Sequence, residues 1–271
     1  MDKRPIGVLD SGLGGLTAAG ELMRAVPNED LIYFGDTGRV PYGTRSRETI
    51  FKYTIQDIKF LLSFDIKLLV VACGTISSLV LSDVKKLFDI PMIGVVSPAA
   101  KNAAEATKSG RVGVIATPGT IACGAFEREL LRISPSVKCS SVACPLFVPL
   151  VENGRFLRGD SVIETVAGEY LSSFDGEGID TMILGCTHYP LLKPIISDIL
   201  GEDVRLIDAG RAAADDTMKF LSSSDLENEK GHKGEHRFFV SDDPDGFSRR
   251  GAMFLNREID GKVSKIDIDS Y

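Results

Sequence analysis

The chain has 271 residues, 44% of them hydrophobic and 25% charged, a composition of one large or two ordinary folded domains rather than a disordered or fibrous protein. A formal charge of −7, with no dense lysine/arginine stripe, excludes general attraction to nucleic acid or to an anionic membrane. No segment reaches the roughly 20 apolar residues of a membrane span. Met1-Asp-Lys-Arg-Pro5 runs into a strand pattern without the apolar stretch of a signal peptide, so a cytoplasmic protein is expected.

In chain order, Ile6-Gly-Val-Leu-Asp10 reads as a buried strand, Ser11-Gly-Leu-Gly-Gly15 as a Gly-rich turn, and Leu16 to Ala25 as a helix closed by Pro27 and Asn28. A strand follows over Asp30 to Gly35, then a loop holding Gly35-Asp-Thr37 and Pro41-Tyr-Gly43. Apolar residues at helical spacing run from Ser46 to Phe64, with Ser46 or Arg47 near the cap. A strand ends at Cys73, Ile76 to Phe88 reads as one helix, Pro91 to Val96 as a strand and Pro98 to Lys108 as a helix. This is alternating β and α, the pattern of a parallel sheet covered by helices.

The pattern restarts at Val112-Gly-Val-Ile-Ala116, which echoes the first strand, with Thr117-Pro-Gly-Thr120 in the place of Asp10-Ser-Gly12. Two cysteines stand in matching contexts, Asp65-Ile-Lys-Leu-Leu-Val-Val-Ala-Cys73-Gly-Thr75 and Gly178-Ile-Asp-Thr-Met-Ile-Leu-Gly-Cys186-Thr-His188. Both strand–loop pairs recur at a similar offset, as a duplicated unit would. Further on, Leu191 to Leu200 and Ala209 to Leu221 read as helices around a strand at Val204 to Ile207. Ser222 to Glu235 reads as a solvated loop, His236 to Val240 as a strand and Phe247 to Leu255 as a helix returning to the first domain.

Ligands of open α/β sheets bind outside the carboxyl ends of the strands, so the two thiols are expected at equivalent places in two halves facing one crevice. Five cysteines, an odd number, without export features read as reduced thiols. A thiol of pKa near 8.5 serves as acid or base once its thiolate is stabilised, so two thiols facing one substrate form an acid/base pair. His188 could tune Cys186, and Asp10 could do likewise for Cys73. Other readings stand beside these: small buried cysteines ending strands, a helix-capping Asp10 and a structural His188. Cys186-Thr-His188 lacks the further ligands that a structural zinc site needs, so no metal is expected. Gly12-Leu-Gly-Gly-Leu-Thr17 does not satisfy the dinucleotide fingerprint. Cys123, Cys139 and Cys144 read as structural.

The motif series Asp10-Ser-Gly-Leu-Gly-Gly15, Phe34-Gly-Asp-Thr37, Val40-Pro-Tyr-Gly43, Val71-Ala-Cys-Gly-Thr75, Ala143-Cys-Pro-Leu-Phe-Val-Pro-Leu-Val-Glu152 and Leu184-Gly-Cys-Thr-His-Tyr-Pro190 resembles that of the glutamate racemases, in order and over most of the chain. The resemblance implies two similar doubly wound parallel-sheet α/β domains related by pseudo-two-fold symmetry, with the active site between them. Domain limits of 1–97 plus 210–271 and 98–209 are expected. It further implies a cofactor-independent isomerase that interconverts L- and D-glutamate, supplies D-glutamate for peptidoglycan and forms a homodimer.

By the same resemblance Cys73 and Cys186 are the catalytic pair, with Asp10, His188 and Glu152 assisting. Asp10, Ser11, Tyr42, Gly43, Gly74, Thr75, Thr187 and His188 would contact the amino acid, and Thr117 and Thr120 resemble further contacts. One departure bears on the substrate: the family usually reads Cys-Asn-Thr where this chain has Cys73-Gly74-Thr75, so an amide donor is missing. A racemase of aspartate or another small amino acid, and a non-catalytic acidic amino-acid-binding protein, remain as alternatives.

Overall fold

A computed structural model describes residues 1–259 and 261–271. The first half is built from β1 (Ile6–Asp10), α1 (Leu16–Ala25), β2 (Leu31–Gly35), α2 (Arg47–Leu62), β3 (Leu68–Val71), α3 (Gly74–Leu79), α4 (Leu81–Val84), β4 (Met92–Gly94) and α5 (Val96–Ala106). The pattern repeats through β5 (Arg111–Ala116), α6 (Pro118–Ala122), α7 (Ala125–Ile133), β6 (Lys138–Ala143), α8 (Phe147–Glu152), α9 (Ser161–Leu171), β7 (Thr181–Leu184), α10 (Lys193–Leu200), β8 (Arg205–Asp208) and α11 (Ala209–Ser223). The chain then closes with β9 (His236–Val240), α12 (Pro244–Leu255) and β10 (Val263–Lys265).

Among the described residues all strand pairings are parallel, and they form two sheets of order β10-β9-β2-β1-β3-β4 and β6-β5-β7-β8. The order β2-β1-β3-β4 has the same sense as β6-β5-β7-β8, so β1 matches β5 and β3 matches β7. Thus the two echoes in the sequence are the two central strand pairs. Every residue of β1, β2, β3 and β7 is buried, which is why these strands read as unbroken apolar runs rather than alternating ones. β9 and β10 extend the first sheet, which carries the end of the chain back onto the amino-terminal half.

Side-chain caps fix several helix starts. Ser46 accepts from the N–H of Thr49 at α2, Asp160 from Val162 at α9, and Asp208 from Gly210 and Arg211 at α11. The expected helix from Ile76 to Phe88 is two short ones. They part at Val80, whose φ of −131° is not helical. Upstream, the Ser77 hydroxyl donates to the carbonyl of Val71 and accepts from the N–H of Val95, binding α3 to the strand ends rather than to a continuous helix axis. Thr117 is the N-cap residue of α6, whose first turn holds Pro118, Gly119 and Thr120, with the proline at its first position.

One apolar cluster joins the two sheets. It contains Leu16, Leu22, Tyr33, Phe238 and Phe247 on one side, and Phe147, Tyr189, Ile195 and Ile196 on the other, with Cys186 among them. Two smaller clusters fill the remaining faces, one around Phe34, Phe60 and Ile76 and one around Phe126, Val114 and Ile183. At the opposite edge from the thiols, the buried Lys67 ammonium pairs with Glu29 at 2.6 Å and donates to the carbonyls of Asp2 and Leu226, which fastens the 224–235 connection. Among the described residues, no helix is long and apolar enough to cross a membrane.

Candidate active site

β3 and β7 end side by side across the junction of the two lobes, each opening into a cysteine. Cys73 is 5% exposed and Cys186 9%. Both line one cavity of about 350 Å³, together with Ser11, Tyr42, Gly43, Gly74, Thr75, Glu152, Thr187 and His188. Of the residues expected at the site only Asp10 and Thr120 lie outside the lining. Asp10 is fully buried behind Ser11, and Thr120 is buried behind Thr117, whose hydroxyl it receives at 3.0 Å. Asp10 thus stands one layer back from the cavity, behind residues that line it.

On the Cys73 side, the thiol donates to the Ser11 hydroxyl at 3.5 Å. Burial pushes the Cys73 thiol up to about 12 and the Asp10 carboxylate adds to the rise, while the Ser11 hydroxyl and the Ile76 N–H oppose it. Asp10 itself is raised by burial, even though its Oδ2 accepts from the N–H of Gly12 at 3.0 Å. Its Oδ1 is buried with no hydrogen-bond partner among the described residues. The Gly12 carbonyl receives the Tyr33 hydroxyl at 2.7 Å, so the Ser11–Gly12 turn is held from below.

On the Cys186 side, His188 Nδ1 lies 3.8 Å from the sulfur and His188 Nε2 lies 2.9 Å from Glu152 Oε1. Phe254 meets the imidazole edge to face. Burial works against the charged ring, but the Cys186 and Glu152 contacts outweigh it and raise His188 to about 10. An imidazolium beside one sulfur and a carboxylate behind the other make the two thiols unequal, with Cys73 held protonated and Cys186 next to a cation. Gly14 leaves the space into which the His188 ring and the Thr187 side chain fit.

The raised His188 has a consequence for stability. The contribution of its charged form is complete below the unfolded value of 6.5 and is lost as pH rises through about 10. Wild type should therefore exceed His188→Gln in urea stability at about pH 6, and the gap should narrow by about pH 10. A gap that widens with pH would contradict the imidazolium assignment.

Several features were not foreseen from sequence. Tyr42 reaches the cavity wall, but its hydroxyl is engaged by Asp36 and lies 3.2 Å from Asp57 Oδ2, so ring and main chain are what it presents. Asp36 and Asp57 are fully buried and share Arg39, which donates through Nε to Asp36 at 2.6 Å and through Nη2 to Asp57 at 2.7 Å. Asp36 also accepts from the Ser241 hydroxyl at 2.8 Å. This cluster holds the loop from Val40 to Thr44 over the cavity. Arg39 three residues after Asp36 is the trace it leaves in the sequence. Pro145, Val148 and Pro149, on and before α8, complete the wall beside Glu152. Among the described residues the lining holds no lysine or arginine; its polar groups are the two thiols, the His188 ring, the Glu152 carboxylate, hydroxyls and main-chain groups.

The lobes also touch directly around this cavity. The N–H of Gly119 donates to the carbonyl of Gly43 at 3.2 Å, Thr75 and Thr117 hydroxyls lie 3.2 Å apart, and the Thr17 hydroxyl donates to the carbonyl of Thr187 at 2.8 Å. A small polar molecule held there is reached from both lobes.

Comparison with known proteins agrees with this geometry. Residues 19–217 match the family described as Asp/Glu/Hydantoin racemase. The chain is 45% identical over 270 residues to a glutamate racemase of Geobacter metallireducens, covering 100% of this chain and 99% of the relative. Among solved structures it is similar to a glutamate racemase of Francisella tularensis in complex with D-glutamate, with TM-score 0.92, 41% identity and complete coverage of both chains. A glutamate racemase isoform of Bacillus anthracis gives TM-score 0.93 at 37% identity, covering 98% of each chain. Full-length likeness in sequence and in both sheets, together with two thiols in one interlobe cavity, establishes that the chain belongs to the Asp/Glu/Hydantoin racemase family and is an amino-acid racemase, an isomerase.

Proposed function

We propose that this chain interconverts L- and D-glutamate without a cofactor, with Cys73 and Cys186 alternating as base and acid on opposite faces of the α-carbon. Racemisation requires one group to remove the α-proton and another to return a proton from the opposite side. A thiolate accepts the proton, leaving the electron pair on the α-carbon and its carboxylate, and the facing thiol then donates. The observation that carries this reading is the presence of both sulfurs, one from each lobe, in the wall of a single cavity. The Francisella relative's complex with D-glutamate supports the choice of substrate.

In this reading Asp10 sits behind Cys73, and the Glu152–His188 pair holds and charges the environment of Cys186. Ser11, Tyr42, Gly43, Gly74, Thr75 and Thr187 orient the amino acid through hydroxyls and main chain. The lobes comprise residues 1–97 with 210–271, and 98–209. The product D-glutamate serves peptidoglycan synthesis, and the protein works as a cytoplasmic homodimer.

Circular dichroism of purified protein with each enantiomer of glutamate and of aspartate tests the proposal. Decay of the signal with both glutamate enantiomers, and much slower decay with aspartate, is the expected outcome. Constant signal with glutamate would reject it, and faster decay with aspartate would reassign the substrate.

A further inference from the structure

Between Cys186 and the imidazole of His188 stands one residue, Thr187, and its main-chain carbonyl is in an unusual position. The carbonyls on either side are served within the turn: that of Cys186 accepts from the N–H of Tyr189 at 3.1 Å and that of His188 from the N–H of Leu191 at 3.3 Å. Among the described residues the Thr187 carbonyl has no such donor from its own turn. Three positions on stands Pro190, which has no N–H, and four positions on the Leu191 N–H is already given to His188.

A hydroxyl from the other lobe fills that role. Thr17, in the first turn of α1, donates to the Thr187 carbonyl at 2.8 Å. The same hydroxyl lies 3.0 Å from the Gly14 carbonyl, but a hydroxyl has one proton to give, and Gly14 already receives the N–H of Thr17 at 3.1 Å. The proton therefore belongs to Thr187. The helix beneath it is a firm base: Ala18, Ala19 and Leu22 are buried, and the β-position of Gly210 on α11 is 2.9 Å from the Ala18 side chain.

We propose that Thr17 is a positioning residue for the racemisation: its hydroxyl ties the Cys186–Thr187–His188 turn of one lobe to the first helix of the other, and so sets where Cys186 stands relative to the lobe that carries Cys73. The tie acts on the second thiol alone. For its catalytic consequence this inference rests on the two-thiol racemase reading, and for its structural one on the carbonyl that its own turn leaves without a donor.

Thr17→Val, which keeps the shape and removes the donor, and Thr17→Ser, which keeps the donor, test it by steady-state kinetics on both glutamate enantiomers. In Thr17→Val kcat should fall roughly 10-fold in both directions, short of the about 10²-fold penalty of a full 1 Å misplacement, with a smaller change in KM. Thr17→Ser should restore most of the rate. Because only the Cys186 step is slowed, the α-deuterium isotope effect on kcat/KM should rise for the enantiomer that Cys186 deprotonates, the one that still exchanges in Cys73→Ser, and fall for the other. A general loosening of the fold would move both the same way. In a crystal structure of Thr17→Val the Thr187 carbonyl should swing away from α1 and Cys186 should shift with it. Unchanged kcat in Thr17→Val, an equal loss in Thr17→Ser, isotope effects that move together, or a turn that keeps its place would each overturn the proposal. Wild-type protein that leaves glutamate unchanged would reject only the racemase reading, because the crystal structure still decides whether the hydroxyl holds the turn.

Discussion

Cys73→Ser and Cys186→Ser are each expected to lower kcat for glutamate racemisation by about 10²–10⁴-fold, the range contributed by a positioned proton-transfer group. A hydroxyl fits the space of either thiol but gives up its proton far less readily, so each substitution removes one face of the relay. The faces fail differently. With Cys73 replaced, Cys186 can still take the α-proton from the enantiomer it faces and return one, so exchange at the α-carbon continues without inversion. The reverse holds for Cys186→Ser, where exchange starts from the other enantiomer. Steady-state kinetics and α-proton exchange by NMR, run on both enantiomers, separate these outcomes. Full racemase activity in either variant would refute the paired-thiol mechanism.

Arg39→Met is expected to cost about 3–5 kcal/mol of folding stability, because it strips the shared cation from two buried carboxylates. Asp36 and Asp57 are fully buried, and among the described residues the Arg39 guanidinium and the Tyr42 and Ser241 hydroxyls are their side-chain partners. Burial, reinforced by the Asp36 charge, pushes Asp57 well above the usual carboxylate range despite Arg39. A carboxyl group raised in this way stabilises the fold below its unfolded value of 3.8 and loses that contribution as pH rises through its folded value. Without Arg39 the folded value rises further, so the deficit of the variant should grow with pH. Urea unfolding at about pH 5 and about pH 8 should give the larger deficit at the higher pH. A deficit under about 1 kcal/mol, or one that shrinks as pH rises, would mean that the cluster is not the support of the Val40–Thr44 loop.

What the sequence revealed follows from how each element is stabilised. β1, β3 and β7 are buried on both faces, so each is an apolar run that needs no context to be recognised, and the glycines and hydroxyls after them mark the turns. α1 and α11 carry their own apolar stripes and could be bounded closely. β6, by contrast, is Lys138-Cys-Ser-Ser-Val-Ala143 at the sheet edge and partly exposed; it is a strand because β5 pairs with it, not because of its composition. β10 has three residues and exists by pairing with β9.

The same distinction holds at the site. Cys73 and Cys186 were found by the likeness of their two strand ends, and His188 by its adjacency to Cys186. That α8 brings Glu152 to within 2.9 Å of the imidazole is a product of packing across 36 positions, and sequence spacing carries no trace of it. Asp57 meets Arg39 from α2 in the same way, 18 positions away. The contact of Thr17 with Thr187 joins opposite lobes and follows only from their juxtaposition.

Deuterium incorporation at early conversion in deuterated water tests most directly whether two sulfurs divide the two faces of one stereocentre. Starting from either enantiomer of glutamate, the opposite enantiomer should appear carrying deuterium at the α-carbon while the remaining substrate keeps protium, because the group that donates is not the group that accepted. A first-formed product that retains the substrate's own α-proton would mean that one group serves both faces, and the paired-thiol mechanism would be wrong.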